Sequence, residues 1–263
     1  MLSAIITAGG IPKEGEPLYP LTQGKPKALL EIAGKPMIQW ILDALDDAQE
    51  IDQVVLVGLD KQNGLKSDKL AAVIENQSDM LANIRAGVVK VLEINPKLDH
   101  VVVVSSDIPA ITGEMVDWLV QTTMQTDEDV YYTVISKEVM ERKYPNSKRS
   151  YTHLKDIDVC GGDINVIRTM TATSNDKMWK KIIDSRKNVF KQAALVGYDT
   201  LILLLLKQIT LDQAVKMVAP RLDVTGRAIL SPYAEMGMDI DKPHQFEIVE
   251  ADLRSRVQKS RAI

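Results

Sequence analysis

Apolar residues fall along the first half of the chain in two kinds of block. Short unbroken apolar runs occur at Leu2 to Thr7, at "QVVLVG" (Gln53 to Gly58), at "HVVVVSSD" (His100 to Asp107) and at "VYYTVIS" (Val130 to Ser136). Runs of this length with no polar face read as strands buried on both sides. Helical segments separate them. Pro36 opens one in which Ile38, Ile41, Leu42 and Leu45 recur at helical spacing, and Met80 to Leu92 reads as another. Thr112 stands as N-cap before a third, with Met115, Trp118 and Leu119 on one face. Strand and helix in alternation predict an α/β fold, with a parallel sheet covered on both faces and right-handed crossovers. Ligands bind such sheets beyond the carboxyl ends of the strands.

The second half is less regular. Residues 137–167 have few helical repeats and read as an excursion around the sheet edge. Residues 174–218 are strongly helical. "RLDVTGRAIL" and "YAEMGMDI" read as late strands, and Pro243 starts a last helix. With no repeat, low-complexity tract or linker, the expectation is one domain over 1–263 with a helical lobe around 171–219. The apolar residues of that lobe admit a hydrophobic acceptor pocket, but a buried core or a homodimer face is the commoner explanation and the preferred one. "LILLLL" (Leu201 to Leu206) is far too short for a bilayer, which needs about twenty apolar residues, and reads as a core helix.

Composition adds exclusions. A formal charge of −4 over 263 residues argues against a nucleic-acid partner, which calls for a basic face. The N-terminus reads as a strand, without the basic region of a secretory signal. Cys160 is the only cysteine, which rules out a disulfide within the chain and suits a cytoplasmic protein. No histidine pairs with it in sequence, so it reads as a small buried hydrophobe.

The candidate chemistry starts where the first strand stops. After Ala8-Gly9-Gly10 come about fifteen residues rich in glycine, proline, lysine and glutamate. A loop that long in a compact domain is usually functional or disordered. Gly9 and Gly10 have no side chains and tolerate positive φ, so backbone N–H groups can approach an anion. Lys13, Lys25 and Lys27 supply charge. Asp107 follows a buried strand, where a carboxylate can hold Mg²⁺ toward a substrate; an aspartate starting a turn before proline is the competing explanation.

"TAGG…PLYPLTQGKPKALLEIAGKPMI" resembles the N-terminal signature of the nucleotidyltransferases that activate sugar phosphates, and of the related molybdenum-cofactor guanylyltransferase-like group. Ala8-Gly9-Gly10, Pro20-Leu21-Thr22, Pro26-Lys27-Ala28-Leu29-Leu30 and Gly34-Lys35-Pro36-Met37 match in order and spacing. The resemblance implies a Rossmann-like, three-layer α/β/α fold of the GT-A-like kind with a mostly parallel central sheet. It implies transfer of a nucleoside monophosphate from an NTP to a small phosphorylated acceptor, a sugar phosphate or cofactor precursor, with Mg²⁺ and release of pyrophosphate. Ala8, Gly9 and Gly10 would wrap the nucleotide and Lys27 would contact its phosphates. Asp107, in "DIP", would bind the metal. For a second contact, Asp239, in "DIDKP", is the first choice because it falls at the strand end, and Asp241 is better explained as the N-cap of the last helix; the choice between the two as metal ligand stays open. In relatives the start of the helix after the third strand reads the base, which points to Ser78 and Asn83; Ser78 is equally an ordinary helix N-cap.

The acceptor side falls to "CGGDINVI". Gly161 and Gly162 allow close backbone approach, and Asp163 or Asn165 could bond the acceptor; a plain turn between two strands is the competing explanation. Asp163 stands where relatives often carry asparagine. Arg149 could grip an acceptor phosphate bidentately, in a stretch similar to one in a subgroup of these transferases. His153 reads as a surface or packing residue. One departure stands out. The usual Gly-x-Arg is replaced by "IPKEGE", with Lys13 or Lys25 as substitute cations. That opens an alternative, a catalytically weakened nucleotide-binding regulatory module. A dinucleotide-binding oxidoreductase is disfavoured, because "AGG" lacks the Gly-x-Gly-x-x-Gly fingerprint.

Overall fold

In chain order the elements are β1 (Leu2–Thr7), α1 (Tyr19–Thr22), β2 (Glu31–Ile32), β3 (Lys35–Pro36), α2 (Met37–Asp47), β4 (Ile51–Val57), β5 (Leu70–Ile74), α3 (Met80–Ile94), β6 (His100–Ser105) and α4 (Gly113–Thr123). There follow β7 (Val130–Ser136), α5 (Lys137–Lys143), β8 (Thr152–His153), β9 (Asp158–Gly161), β10 (Ile164–Arg168), α6 (Thr169–Ser174), α7 (Tyr198–Leu205), α8 (Leu211–Val218), β11 (Gly226–Ser231) and α9 (Pro243–Arg261). The structure is a computed structural model that describes residues 1–60, 64–77, 79–174 and 196–261.

Among those residues one sheet runs β5-β4-β1-β6-β10-β7-β9-β8, with β11 beside β7. The pairs β1–β4, β1–β6, β4–β5 and β7–β11 are parallel. β10 enters antiparallel between β6 and β7. The expected α/β architecture with a mostly parallel sheet is the observed one. The unbroken apolar runs explain it, because each strand feeds both faces. Ala4, Ile6, Leu56, Val102 and Val104 pack with α2, α4 and α9, whereas Ile5, Val55, Val57, Val101 and Val103 pack with α3 and α6. In α2, Met37, Ile38, Ile41, Leu42 and Leu45 are fully buried, as their spacing predicts.

The register positions the site. Thr7 pairs with Val57 on one side and Ser105 on the other, so three strands end level and their following loops share one edge. Because β10 runs antiparallel, with Ile164 opposite Val104, its first end lies at that same edge.

Three expectations are corrected. "YAEMGMDI" is no strand: Ala234–Gly237 is a 3-10 turn, which folds the chain back toward β6. Residues 137–167 do not skirt the sheet but contribute β8, β9 and β10 to it. "LILLLL" is not a core helix. Leu203 and Leu204 pack against Val134, Leu154, Val159 and Ile209, while Ile202, Leu205 and Leu206 face outward and are exposed. Of the helical lobe, α6, α7 and α8 are described and residues 175–195 lie outside the described residues.

Candidate active site

The opening loop is anchored at both ends. Ala8 N–H donates to Val57 O at 2.7 Å, and Lys27 N–H donates to Gly10 O at 2.9 Å. Leu18 is buried between them. Neither Gly9 nor Gly10 is left-handed; positive φ occurs further along the loop at Gly15 and Gly24, and at Gly58, at +115° after β4, which lies against the Gly9 backbone. Gly9 is needed for close approach, since a Cβ there would collide with the Asn76 and Asn83 carboxamides. A Cβ on Gly10 would meet open space. Lys13 and Lys25 are exposed on the loop, and no contact links them to the carboxylates below among the described residues.

Lys27 is the cation the fold brings inward. Its Nζ donates to Asp107 Oδ2 at 2.8 Å and to Asp241 Oδ1 at 2.5 Å. Burial opposes the ammonium charge, but Asp107 and Asp241 together outweigh it and raise the pKa above the ordinary lysine value. Main-chain bonds hold these carboxylates in place: Ile240 N–H donates to Asp107 O at 3.0 Å, and Asp163 N–H donates to Met236 O at 2.8 Å.

Asp107, Asp239 and Asp241 each present a carboxylate oxygen, all within 4.8 Å of one another. The second Asp107 oxygen, Oδ1, is buried with no hydrogen-bond partner among the described residues. An all-oxygen donor set with an unsatisfied carboxylate fits a hard divalent cation. The helix-cap role expected for Asp241 is corrected. Its carboxylate goes to Lys27, and its own N–H donates to Gln245 Oε1 at 3.0 Å.

Across from Lys27, Arg149 forms an ion pair with Asp239, donates to Gly161 O at 3.4 Å, and has Nη2 4.0 Å from Asp163 Oδ2. Arg149, Gly161, Gly162 and Asp163 are therefore neighbours, as the sequence suggested. Asp163 sits at the carboxyl edge because β10 is antiparallel; its O accepts from Ser105 N–H at 2.8 Å. Burial pushes the Asp163 carboxyl up to about 7, reinforced by Asp107 and Asp241 and opposed by Arg149 and Lys27.

Asn165 is held by the scaffold. Its Oδ1 accepts from Thr133 N–H at 2.8 Å, bracing the glycine turn. Tyr132, which sequence reasoning missed, places its hydroxyl against Gly161. Burial, then Asp163, raises its pKa and keeps it a neutral phenol. Cys160 is buried, and burial raises its thiol pKa, in keeping with a packing role.

On the nucleotide side, Asn83 is committed to scaffolding. Its Nδ2 donates to Asn76 Oδ1 at 2.9 Å and its Oδ1 accepts from Gln77 N–H at 2.7 Å, so it holds residues 76–77 behind Gly9. Ser78 lies outside the described residues, and the cap of α3 is Asp79, which accepts from Leu81 and Ala82 N–H at 2.9 and 3.0 Å. A cavity of about 240 Å³ opens beside this region, lined by Pro26, Gly58, Leu59, Asp60, Glu75 and Asn76.

A glycine-lined edge, an inward lysine and a carboxylate triad at the ends of β1 and β6 can bind polyphosphate and metal together. Residues 4–218 match the MobA-like NTP transferase domain. The chain belongs to that family. The family expected from the opening motif is thus the observed one, and the chain is of nucleotidyltransferase type. A probable molybdenum cofactor guanylyltransferase from Thermococcus gammatolerans is 33% identical over 99 residues, 37% of this chain and 48% of that protein. The bifunctional protein GlmU of Methanocaldococcus jannaschii is 39% identical over 56 residues, 21% of this chain and 12% of that protein. The match thus spans half or less of these curated relatives. A hypothetical transferase structure from Thermus thermophilus superposes with a TM-score of 0.80 at 27% identity, covering 94% of this chain and all of the other. The 4-diphosphocytidyl-2C-methyl-D-erythritol synthase structure from Anaerococcus prevotii shares the fold, with a TM-score of 0.58 at 13% identity over 97% of this chain and 96% of its own. Among the described residues no helix is long and apolar enough to cross a membrane.

Proposed function

We propose that this MobA-like domain transfers a nucleoside monophosphate from an NTP to a small phosphorylated acceptor and releases pyrophosphate. The observation that carries the reading is Lys27, held between Asp107 and Asp241 and bonded through its N–H to Gly10, whose Cα faces open space. An acceptor phosphate oxygen attacks the α-phosphorus. That P–O bond forms as the bond to the bridging oxygen of the pyrophosphate breaks, and both electrons of the broken bond leave with pyrophosphate. A phosphate nucleophile is already anionic at neutral pH, so the site needs no general base. It needs positioning and charge neutralisation.

Gly9 and Gly10 would let main-chain N–H groups approach the triphosphate. Lys27 would balance charge on the leaving phosphates, and Arg149 would orient the acceptor phosphate in two-point contact. Asp107, Asp239 and Asp241 would hold Mg²⁺, which supplies charge neutralisation between phosphate oxygens. Residues 1–263 act in this reading as one domain, and the lone buried Cys160 supports a reducing, cytoplasmic setting.

The second reading, a nucleotide-binding module with weakened catalysis, draws on one observation: Lys13, a candidate replacement for the missing arginine, is exposed and makes no ion pair with the carboxylates among the described residues. Pyrophosphate release from ATP, GTP, CTP and UTP with Mg²⁺ and a panel of acceptor phosphates separates the two. Transfer requires release with at least one pair, and its loss in Asp107→Ala with the melting transition retained. Full activity in that variant would sink the mechanism.

A further inference from the structure

Among the described residues, the face of the sheet that carries α3, α6 and α8 is not closed between them. A cavity of about 630 Å³ lies there, lined entirely by described residues; its walls include Leu81, Ile84, Val103, Val130, Ile167 and Val215. The lining is almost wholly apolar. At a central position of the sheet such a face is normally covered, and the volume is in the range of small-molecule pockets. Tyr132, on a strand paired along both edges, is 48% exposed on this face.

Two lining residues also belong to the candidate active site. Tyr132 puts its hydroxyl against Gly161, and Asn165 braces Gly162 through Thr133 N–H and Gly162 O. Gly161 O is in turn an acceptor for Arg149. The cavity therefore continues from the acceptor side of the cleft, one side chain away from the guanidinium that would hold a phosphate. Tyr132 and Asn165 stand at that end; Thr171 and Arg227 are the other polar side chains of the lining, Arg227 already donating to Thr126, and the rest of the wall is aliphatic or glycine and offers a sugar ring no side-chain partner. Hydroxyls buried there would go unsatisfied.

We propose that the acceptor is amphiphilic, with a phosphate head at Arg149 and a hydrocarbon tail seated in the cavity between α3, α8 and the β10–β7–β11 face. This rests on the nucleotidyl-transfer reading of the same site and names its acceptor class.

Calorimetric titration with n-alkyl monophosphates from ethyl to dodecyl, each below its micelle concentration, with farnesyl monophosphate as a branched arm, tests it. Affinity should tighten by about fourfold per added methylene and then level off as the cavity fills. The tighter of the two arms tells a straight-chain from an isoprenoid tail. Ala214→Trp, which fills the cavity, should abolish the chain-length slope while leaving ethyl phosphate and NTP binding unchanged. Val215→Thr, nearly isosteric, should weaken long tails only. A flat series in the native protein, as expected if another part of this chain fills the cavity, would overturn the proposal. So would an undiminished slope in Ala214→Trp. NTP binding measured on the same samples keeps the cases apart: a flat series with NTP bound ends the tail proposal alone, whereas loss of NTP binding ends the transfer reading.

Discussion

Lys27 Nζ donates to Asp107 Oδ2 at 2.8 Å across eighty residues of sequence, fastening the far end of the opening loop to the carboxyl edge of β6. The same ammonium reaches Asp241 at the start of the last helix. One side chain thus ties the three segments that carry the best-matched motifs. Both carboxylates keep Lys27 protonated despite its burial. Lys27→Ala should lower kcat/KM by roughly 10²–10³-fold, the scale of losing one preorganised charge-stabilising donor. Lys27→Arg keeps the charge but not the point geometry, and should recover only part of the loss. Steady-state rates of pyrophosphate release check both. Native rates in Lys27→Ala would remove it from the reaction.

The adjacent glycines make a matched pair. A Cβ on Gly9 has to displace the Asn76 and Asn83 carboxamides, whereas one on Gly10 meets nothing within 4 Å. Gly9→Ala should destabilise by about 1–3 kcal/mol, the range for overpacking, and weaken NTP binding as residues 76–77 shift. Gly10→Ala should stay within about 0.5 kcal/mol in stability. Urea denaturation compared with nucleotide affinity tells them apart. Equal effects at the two positions would mean that close approach is not what Gly9 provides.

These positions also mark what the chain reveals before folding. The runs that became β1, β4, β6 and β7 were legible because burial on both faces leaves no polar residue in them. The loop chemistry was legible because Gly9 and Asp107 sit just past the ends of such runs and Lys27 falls in the matched Pro26-Lys27-Ala28-Leu29-Leu30 stretch. β5 was not, because it is an edge strand of half-buried residues with no strong period. β9 and β10 were legible only as one of two readings of "CGGDINVI", a turn between two strands, because both are short; the structure has that turn, with Asp163 and the glycines also beside Arg149. The sequence left open whether Asp239 or Asp241 faces the metal and favoured a cap for Asp241; the structure groups both with Asp107, and the two are two apart, the spacing that returns side chains to one side of an extended chain. The Arg149–Asp239 pair could not be read at all, since it depends on how β9, β10 and the 3-10 turn pack together.

Arg149 tests the acceptor side independently of the nucleotide. It is paired with Asp239 and close to Asp163, and its Nε is buried without a hydrogen-bond partner among the described residues. Arg149→Lys retains a cation but loses the two-point fork. The expected result is a rise in the acceptor KM of at least tenfold, with the NTP KM little changed. About 1.4 kcal/mol corresponds to that factor, within the range for a hydrogen bond to a charged group. If the NTP KM rises instead, Arg149 belongs to the nucleotide half of the cleft.

Asp163 gives the pH prediction. Its folded pKa, about 7, lies well above the ordinary carboxyl value of 3.8, because burial and then Asp107 and Asp241 penalise its charge. Below about pH 4 the carboxyl is protonated in both folded and unfolded chains, and its favourable contribution is fully present. As pH rises toward 7, the unfolded chain gives up the proton while the folded one retains it, so that contribution drains away; above 7 it is gone. Asp163→Asn is neutral throughout. In metal-free buffer its melting temperature should approach that of the native protein near pH 4 and exceed it increasingly up to about pH 7 to 8. A neutral side chain there also removes repulsion against an anionic acceptor, so Asp163→Asn should bind acceptor phosphate more tightly at pH 8 than the native protein does. Parallel melting curves across that interval would show that Asp163 ionises normally in the fold, and the gain in acceptor binding would then have to come from elsewhere.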